Sequence, residues 1–292
     1  MSEMSATVVA AQLSDFVDLD FARRLEMAEM ILPDCVEALR RYAPNERFAV
    51  ENIAGGIAFF GGVDYPANQV VGMGLYGDIA SSDMDRVEDF FRSRGVPSAV
   101  VLSPLAHESL RTLLGERGYR IAEFNSVLIR RLQLQEPVLE LDEFAIERVT
   151  PETLKPWMYA IARGFAQEVQ VAENVFGGFA SLPGTLAFAA VVGDRVAGGG
   201  GGRIIPEARI AALFGATTLP EFRRRGVQSA LIARRLHEAA KAGCEYAVVS
   251  TNPGSGSQRN MERRGFRLAY TKTVMMRDWP ETQTLKDKND GH

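Results

Sequence analysis

The chain has 292 residues, of which 46% are hydrophobic and 24% charged, and its formal net charge is -4. This length favours two domains, and this composition excludes a largely disordered protein. A mildly acidic chain also lacks a general electrostatic attraction to nucleic acids and anionic membranes, so we expect neither as a partner.

The N-terminus and the cysteines favour a cytoplasmic protein. The opening segment, MSEMSATVVAAQLSDF, lacks the basic stretch and long apolar core of a secretory signal. No stretch approaches the ~20 apolar residues that a membrane span needs. Cys35 and Cys244 lie in apolar segments and are interpreted as buried free thiols, with a structural disulfide as the alternative.

The first half of the chain contains a glycine-rich strand over residues 70–77 (VVGMGLYG), then a helix that starts near Ser81 or Ser82. Gly72-Met-Gly-Leu-Tyr-Gly fits the G-x-G-x-x-G pattern of dinucleotide-binding folds. That pattern requires a helix that opens at the third glycine and an acidic residue at the end of the next strand. Neither is present, so a nicotinamide oxidoreductase is kept only as a rival interpretation.

The second half alternates strands and helices after a leading meander. The hydrophobic pattern predicts strands over residues 144–149, 186–192, 195–203, 210–218 and 244–249. An amphipathic helix is predicted from Val227 to a C-cap at Gly243, and a shorter helix over residues 257–264. This order indicates an α/β fold with a central mixed sheet flanked by helices.

The two halves resemble each other. Residues 116–132 (ERGYRIAEFNSVLIRRL) align without a gap with residues 263–279 (RRGFRLAYTKTVMMRDW). A repeat of about 147 residues indicates a duplicated domain. The predicted domains cover residues 1–135 and 143–279, with a linker at 133–142 and a flexible tail at 280–292.

A phosphate-binding loop is predicted where the long helix of the second half begins. The run Arg223-Arg-Arg-Gly-Val-Gln-Ser places free backbone N–H groups at the positive end of a helix dipole, a ready site for a pyrophosphate. Gly226 permits a positive φ or a close approach of phosphate to the backbone. Nearby arginines could attract phosphates, and we expect one or two of them to touch the ligand: Arg223, Arg224, Arg225, Arg259, Arg263 and Arg264.

These motifs carry a family resemblance. RRRGVQSA resembles the Q/R-x-x-G-x-G/A loop of the GNAT (Gcn5-related N-acetyltransferase) superfamily, and TTLPEF resembles its lead-in. Asn252 and the run SQRNMERRGF at 257–266 resemble its later N-x-x-[AS]…G-F segment. The resemblance covers most of residues 144–279. It implies a GNAT fold and transfer of an acetyl group from acetyl-CoA to a primary amine of a small molecule or peptide, by direct attack in a ternary complex.

The resemblance also implies a coenzyme site. Ala216, Thr217 and Thr218 would pair with the pantetheine arm, and a main-chain N–H near Leu213 or Phe214 would polarise the thioester carbonyl. The full set implied for coenzyme binding is Leu213, Ala216, Thr217, Thr218, Arg223, Arg224, Arg225, Gly226, Val227, Gln228, Ser229, Asn252, Ser257, Asn260 and Met261.

The chain departs from the family at two positions. Gln228 stands where glycine or alanine is usual, and Met261 stands where many members have a tyrosine that protonates the leaving thiolate. A thioether cannot donate a proton. Water, Ser257, Asn260 or Tyr270 are the alternatives, or the thiolate leaves unassisted.

A general base is not evident from the sequence. Glu168, Glu173 and Glu207 are candidates, and each can equally be a solvated surface carboxylate. The glycine run at 198–202 is interpreted either as a strand bulge or as a place where a ligand comes close. No histidine has metal-ligand spacing, so no metal is expected.

The first half is expected to lack coenzyme. Its segment GDIASSDMDRVEDF carries acids where the second half has arginines. The resemblance implies a tandem arrangement, either a monomer with pseudo-dimeric domains or a homodimer. Because Met261 departs from the family and no base is evident, a non-catalytic acyl-CoA-binding or regulatory module is the alternative function.

Overall fold

The structure is a computed structural model that describes residues 16–30, 33–43, 47–63, 65–165, 177–180, 182 and 184–279. The helices are α1 (Leu19–Met27), α2 (Pro33–Tyr42), α3 (Ser81–Arg92), α4 (Glu108–Glu116), α5 (Pro151–Phe165), the one-turn α6 (Gly178–Ala180), α7 (Val227–Lys241) and α8 (Gly256–Glu262). The tail predicted at 280–292 lies outside the described residues.

The strands form one sheet. Their bounds are β1 (Ala49–Ile53), β2 (Gly56–Phe60), β3 (Gln69–Val71), β4 (Ser98–Leu102), β5 (Arg120–Arg131), β6 (Ala145–Arg148), β7 (Phe188–Val192), β8 (Arg195–Ile205), β9 (Ile210–Thr218), β10 (Tyr246–Thr251) and β11 (Arg267–Arg277). Their order across the sheet is β1-β2-β3-β4-β11-β5-β10-β9-β8-β7-β6. The predicted mixed α/β fold is thus confirmed, with parallel pairs at β3–β4 and β9–β10.

The last strand of each half lies in the part of the sheet formed by the other half. Strand β11 lies between β4 and β5, and β5 lies between β11 and β10. The sequence analysis did not predict this exchange. Its physical effect is that the two halves share one continuous hydrogen-bonded sheet.

The antiparallel pairing of β5 with β11 has an internal symmetry. Arg267 pairs with Ile129 at one end, and Met276 pairs with Arg120 at the other. The register shifts leave one unpaired residue in each strand, Ala269 in β11 and Ala122 in β5. The members of each equivalent pair are 147 residues apart (267 − 120, 269 − 122 and 276 − 129), which is the repeat length read from the sequence.

Helices cover both faces of the sheet. On the face that we call the α1 face, apolar clusters join the sheet to α1, α2 and α5. On the opposite face, the α7 face, one cluster contains α7 and α8, and another contains α3 and α4. Side chains alternate along a strand, so each strand contributes to both layers of the core.

Cys35 and Cys244 are buried and form no disulfide with each other, as the sequence predicted. Burial raises the pKa of Cys244 to about 11. Across the described ranges, no helix has the length and apolar character to cross a bilayer.

Candidate functional site

The site begins where two parallel strands separate. β9 and β10 pair at Ile210–Tyr246, Ala211–Ala247 and Ala212–Val248, and beyond these positions they diverge. A cavity of about 500 Å³ opens between them. Its walls come from the second part of β9, the end of β10, and helices α7 and α8.

Several predicted coenzyme residues line this first cavity: Leu213, Ala216, Gln228, Asn252, Ser257 and Met261. Met261 is buried in the cluster beneath α7, whereas Ser257 and Asn252 are exposed at the cavity's edge. The structure therefore brings together residues that are up to 48 positions apart in sequence (261 − 213).

The glycine run lies in β8, beside the cavity, and faces a bulge in β9. Gly199 pairs with Thr217 and Gly201 with Phe214, so Gly200 stands opposite two residues of β9. Helix α7 also approaches closely, because a Cβ on Gly200 would lie 2.8 Å from Cζ of Arg235. The run therefore lies opposite a bulge, and the neighbour that comes close to Gly200 is the side chain of Arg235.

Arg235 packs against Gly200, where a larger residue would leave no room for it, and it is fully buried. Its Nη1 donates to the carbonyl oxygens of Gly201, at 2.6 Å, and Phe214, at 3.3 Å. Its Nη2 has no hydrogen-bond partner within the described structure. Burial lowers the pKa of Arg235 to about 10. Arg235 lines the first cavity and was missed by the sequence analysis, where the adjacent glycine run was the one signal for it.

A second cavity of about 500 Å³ lies at the predicted phosphate loop. It shares Ala216 and Gln228 with the first cavity, so the two cavities adjoin there, and we call them together the groove. The other predicted residues that line it are Thr217, Thr218, Arg223, Arg224, Gly226, Val227, Ser229 and Asn260, together with Arg263. A smaller cavity of about 220 Å³ extends it past Arg263 and Arg264.

The loop has the backbone geometry of an open helix end. Gly226, the N-cap of α7, has φ of 83°, and Arg224 has φ of 63°. No side chain caps this end of α7 in the described structure, so its first-turn N–H groups remain for a ligand. Asn260 donates to Gln228 at 2.8 Å, which fixes the glutamine between α7 and α8.

Other predicted residues lie away from the groove. Arg225 forms an ion pair with Glu143 and stacks over Phe144. Tyr270 is buried on the α1 face, where its hydroxyl donates to Glu26 at 2.7 Å. Its burial, and secondarily Glu26, raise the pKa of Tyr270 far above its ordinary value.

Of the three candidate bases, the structure describes Glu207. Glu207 is exposed in the turn before β9, and Phe214 lies about 13 Å further along that strand from Ile210, at about 3.3 Å per residue. This position favours the interpretation of Glu207 as a solvated surface carboxylate. Glu168 and Glu173 lie outside the described residues.

The equivalent region of the first half is filled by its own chain. Met73 and Leu75 are buried there, and the N–H of His107 donates to the carbonyl oxygen of Gly74 at 2.8 Å. At the start of α3, the carboxylate of Asp83 accepts the N–H of Ala80 at 3.0 Å. A carboxylate thus occupies the end of α3 that corresponds to the open end of α7.

Comparison with known proteins identifies the second half. Residues 152–266 match the sequence model of the Acetyltransferase (GNAT) family. These residues form a GNAT domain. The match spans less than half of the chain, and a domain of this family supports an acyltransferase. A search of curated proteins found no match.

Solved structures share the fold of the chain beyond the GNAT domain. A GCN5-related N-acetyltransferase from Kribbella flavida is 15% identical with a TM-score of 0.64, over 88% of this chain and 96% of that chain. An acetyltransferase of the GNAT family from Colwellia psychrerythraea is 14% identical with a TM-score of 0.50, over 90% and 96%.

A third structure matches a shorter part. The GCN5-related N-acetyltransferase from Sphaerobacter thermophilus is 16% identical with a TM-score of 0.51, over 62% of this chain and 59% of that chain. At these identities the comparisons establish the fold alone. Among the residues that the structure describes, no group of three or more His, Cys, Asp or Glu side chains is placed to hold a metal ion.

Proposed function

We propose that the protein transfers an acetyl group from acetyl-CoA to a primary amine of a small molecule or peptide. The observation that supports this most directly is that the cavity between β9 and β10 adjoins the cavity at the uncapped end of α7, with Ala216 and Gln228 lining both. The end at α7 suits a pyrophosphate, and the end between β9 and β10 suits a thioester.

Each part of the groove suits a part of acetyl-CoA. Arg223, Arg224 and Arg263 supply positive charge where α7 presents its free N–H groups. The pantetheine arm runs along β9. The thioester then lies between β9 and β10, where a main-chain N–H near Leu213 or Phe214 polarises its carbonyl.

The amine attacks the thioester carbon directly, the C–N bond forms and the C–S bond breaks. Met261 cannot protonate the departing sulfur. Asn260 is engaged with Gln228, and Tyr270 lies outside the groove, so Ser257 is the candidate that remains at the cavity besides water.

We also propose that the first half binds no coenzyme and acts as the structural partner of the GNAT domain. Its buried Met73 and Leu75 and the carboxylate at α3 support this. The symmetric pairing of β5 with β11 supports an origin by duplication, and a monomer whose halves take the places of two subunits.

Calorimetric titration of acetyl-CoA tests the site. Wild type should bind at one site per chain, and Gly226→Glu should not, because it puts a carboxylate at the phosphate loop. Gly243→Glu is the matched control: Gly243 also has φ of 83° and lies at the other end of α7. Equal binding by the folded Gly226→Glu variant would contradict the proposed site.

The alternative is an acyl-CoA-binding module without turnover, which Met261 favours. Release of free CoA thiol in the presence of primary amines separates the two functions. Binding without release across an amine panel would favour the alternative.

A further inference from the structure

A carboxylate from the first half contacts a residue that lines the first cavity, on the α1 face. Ser250 lines the cavity, and its hydroxyl donates a hydrogen bond to Glu29, which lies just after α1. Side chains alternate along β10, and Tyr246 and Val248 belong to the cluster that packs on α1. Ser250 therefore faces α1, opposite the side from which α7 and α8 line the groove.

A buried ionic network holds Glu29 in place. Nζ of Lys272 lies 2.6 Å from Glu29 and 3.0 Å from Glu26, and Glu26 accepts the hydroxyl of Tyr270 at 2.7 Å. The side chain of Lys272 is 3% exposed, whereas that of Glu29 is 22% exposed. Glu29 is therefore the carboxylate of this network with access to solvent.

The charges around Glu29 come from two elements. Burial lowers the pKa of Lys272, but the carboxylates of Glu29 and Glu26 raise it above its ordinary value, so Lys272 is charged. Burial raises the pKa of Glu26, and Lys272 opposes this. Glu26 on α1, Lys272 and Tyr270 on β11, and the neutral hydroxyl of Ser250 on β10 are the ionisable and polar groups of the described chain in this network.

The proposed reaction needs a proton acceptor at this position. A primary amine is protonated at neutral pH, and its nitrogen must lose a proton before it can attack the thioester. Because the hydroxyl of Ser250 donates to Glu29, its oxygen lone pairs can accept a hydrogen bond from an ammonium group in the cavity.

We propose that Glu29, from the first half of the chain, is the proton acceptor for the amine substrate of the GNAT domain, and that Ser250 relays the proton to it. This inference rests on the proposed acetyl transfer. The ammonium group gives a proton to Oγ of Ser250 as Ser250 passes its own proton to Glu29.

The remaining bonds and charges balance as follows. The neutral nitrogen forms the C–N bond, the C–S bond breaks, and the electron pair leaves on sulfur as the CoA thiolate. The second proton lost by the nitrogen neutralises the thiolate. Glu29 releases the first proton to solvent, so the products are the amide, CoA thiol and one proton.

Two probe nucleophiles test the proposal with acetyl-CoA. Propylamine is protonated at neutral pH and needs a base, whereas hydroxylamine is largely unprotonated and does not. Glu29→Gln should lower kcat/KM about 100-fold or more for propylamine but less than about fivefold for hydroxylamine, since general bases contribute factors of this size. A merely structural role of Glu29 would slow both reactions alike.

The pH profile gives a second readout. With Glu29→Gln, the propylamine rate should rise about tenfold per pH unit below the pKa of the amine, because only the neutral fraction reacts, while the wild-type profile stays flatter. Ser250→Ala should show the same selective loss, and it keeps the test available if Glu29→Gln does not fold. Calorimetry should show unchanged acetyl-CoA binding by both variants.

Glu245→Gln is the matched control. Glu245 lies just before β10 and pairs with Arg24 of α1 at 2.7 Å and with Arg209 at 2.8 Å. This variant makes the same chemical change in another contact between α1 and the β10 region, at a residue that does not line the cavity. It should leave both values of kcat/KM within about twofold of wild type, because a partly exposed ion pair contributes little to stability.

The outcomes separate this inference from the proposed function. Wild-type turnover that Glu29→Gln leaves unchanged, or lowers equally for both nucleophiles, overturns the role of Glu29 and leaves the acetyl transfer standing. Wild type that binds acetyl-CoA but turns over neither nucleophile overturns the proposed function, and this inference with it.

Discussion

Arg235 places a charged side chain in the interior of the GNAT domain, beneath the bulge of β8 and β9. Its guanidinium donates to the carbonyl oxygens of Gly201 and Phe214, the pair of residues that borders the bulge. Because β9 forms a wall of the first cavity, Arg235 stabilises the shape of that wall. A buried carbonyl oxygen without a hydrogen-bond donor destabilises the folded state, so hydrogen bonds as well as packing hold the side chain of Arg235 there.

Arg235→Met should therefore lower the free energy of unfolding by about 2–4 kcal/mol, since two buried acceptors lose their donor. Urea denaturation measures this, and calorimetry should show weaker acetyl-CoA binding. Arg234→Met is the neighbouring control: Arg234 is partly exposed and pairs with Glu238 at 3.4 Å, so it should cost less than about 1 kcal/mol. Equal stabilities of the two variants would contradict this role.

Some residues of the candidate site could be predicted from the sequence. Gly226, Gln228 and Asn260 were singled out by motif, and the structure places them at one cavity. Arg235 was not, because a helical pattern with one arginine on its apolar side carries no mark of burial. Glu29 was missed for a different reason: it lies 221 residues from Ser250 in sequence, and the tertiary structure brings the two together.

At the scale of elements, the local patterns of the second half were reliable, whereas the strand predicted over residues 70–77 was wrong beyond Val71, where β3 ends and turns follow. Strand β9 has the predicted bounds, Ile210–Thr218, and α7 begins at the predicted Val227. Small apolar residues between turn signals define such a strand, and a positive-φ glycine at each end defines such a helix. The exchange of β5 and β11 was not predicted, because both strands have the same alternating pattern and either half could pair with either strand.

The exchange predicts that the GNAT domain does not fold alone. In a fragment of residues 143–279, β10 would lose its pairing with β5, and β11 would lose β4 and β5 on both sides. We expect this fragment to lack a cooperative unfolding transition, and co-expression with residues 1–135 to restore a one-to-one complex. Circular dichroism and co-purification measure this. A stable monomeric fragment that binds acetyl-CoA would contradict it.

At the scale of the whole molecule, the shared strands should make unfolding a single event. Trp157 reports on the second half, where its indole donates to the carbonyl oxygen of Phe188 at 3.0 Å. Trp279 follows β11 and packs under Arg92 of α3, in the first half. The chain has two tryptophans, so each can be removed to leave the other as a local probe.

In Trp157→Phe and Trp279→Phe, we expect the fluorescence of the remaining tryptophan and the far-ultraviolet dichroism to change at the same urea concentration. A continuous sheet through both halves couples them, because neither can unfold without leaving strand edges of the other unpaired. Separate fluorescence and dichroism midpoints in either variant would show that the halves unfold independently.

The sequence by itself determined the strands and helices of the second half, the repeat and the glycine turn that opens α7, because these depend on local periodicity, glycine φ and helix-end chemistry. The tertiary structure decided which strands pair across the repeat, where Arg235 is buried, and which carboxylate contacts Ser250 at the wall of the cavity. These depend on contacts between residues far apart in the chain, and local patterning does not encode the partner of a strand edge or of a buried charge.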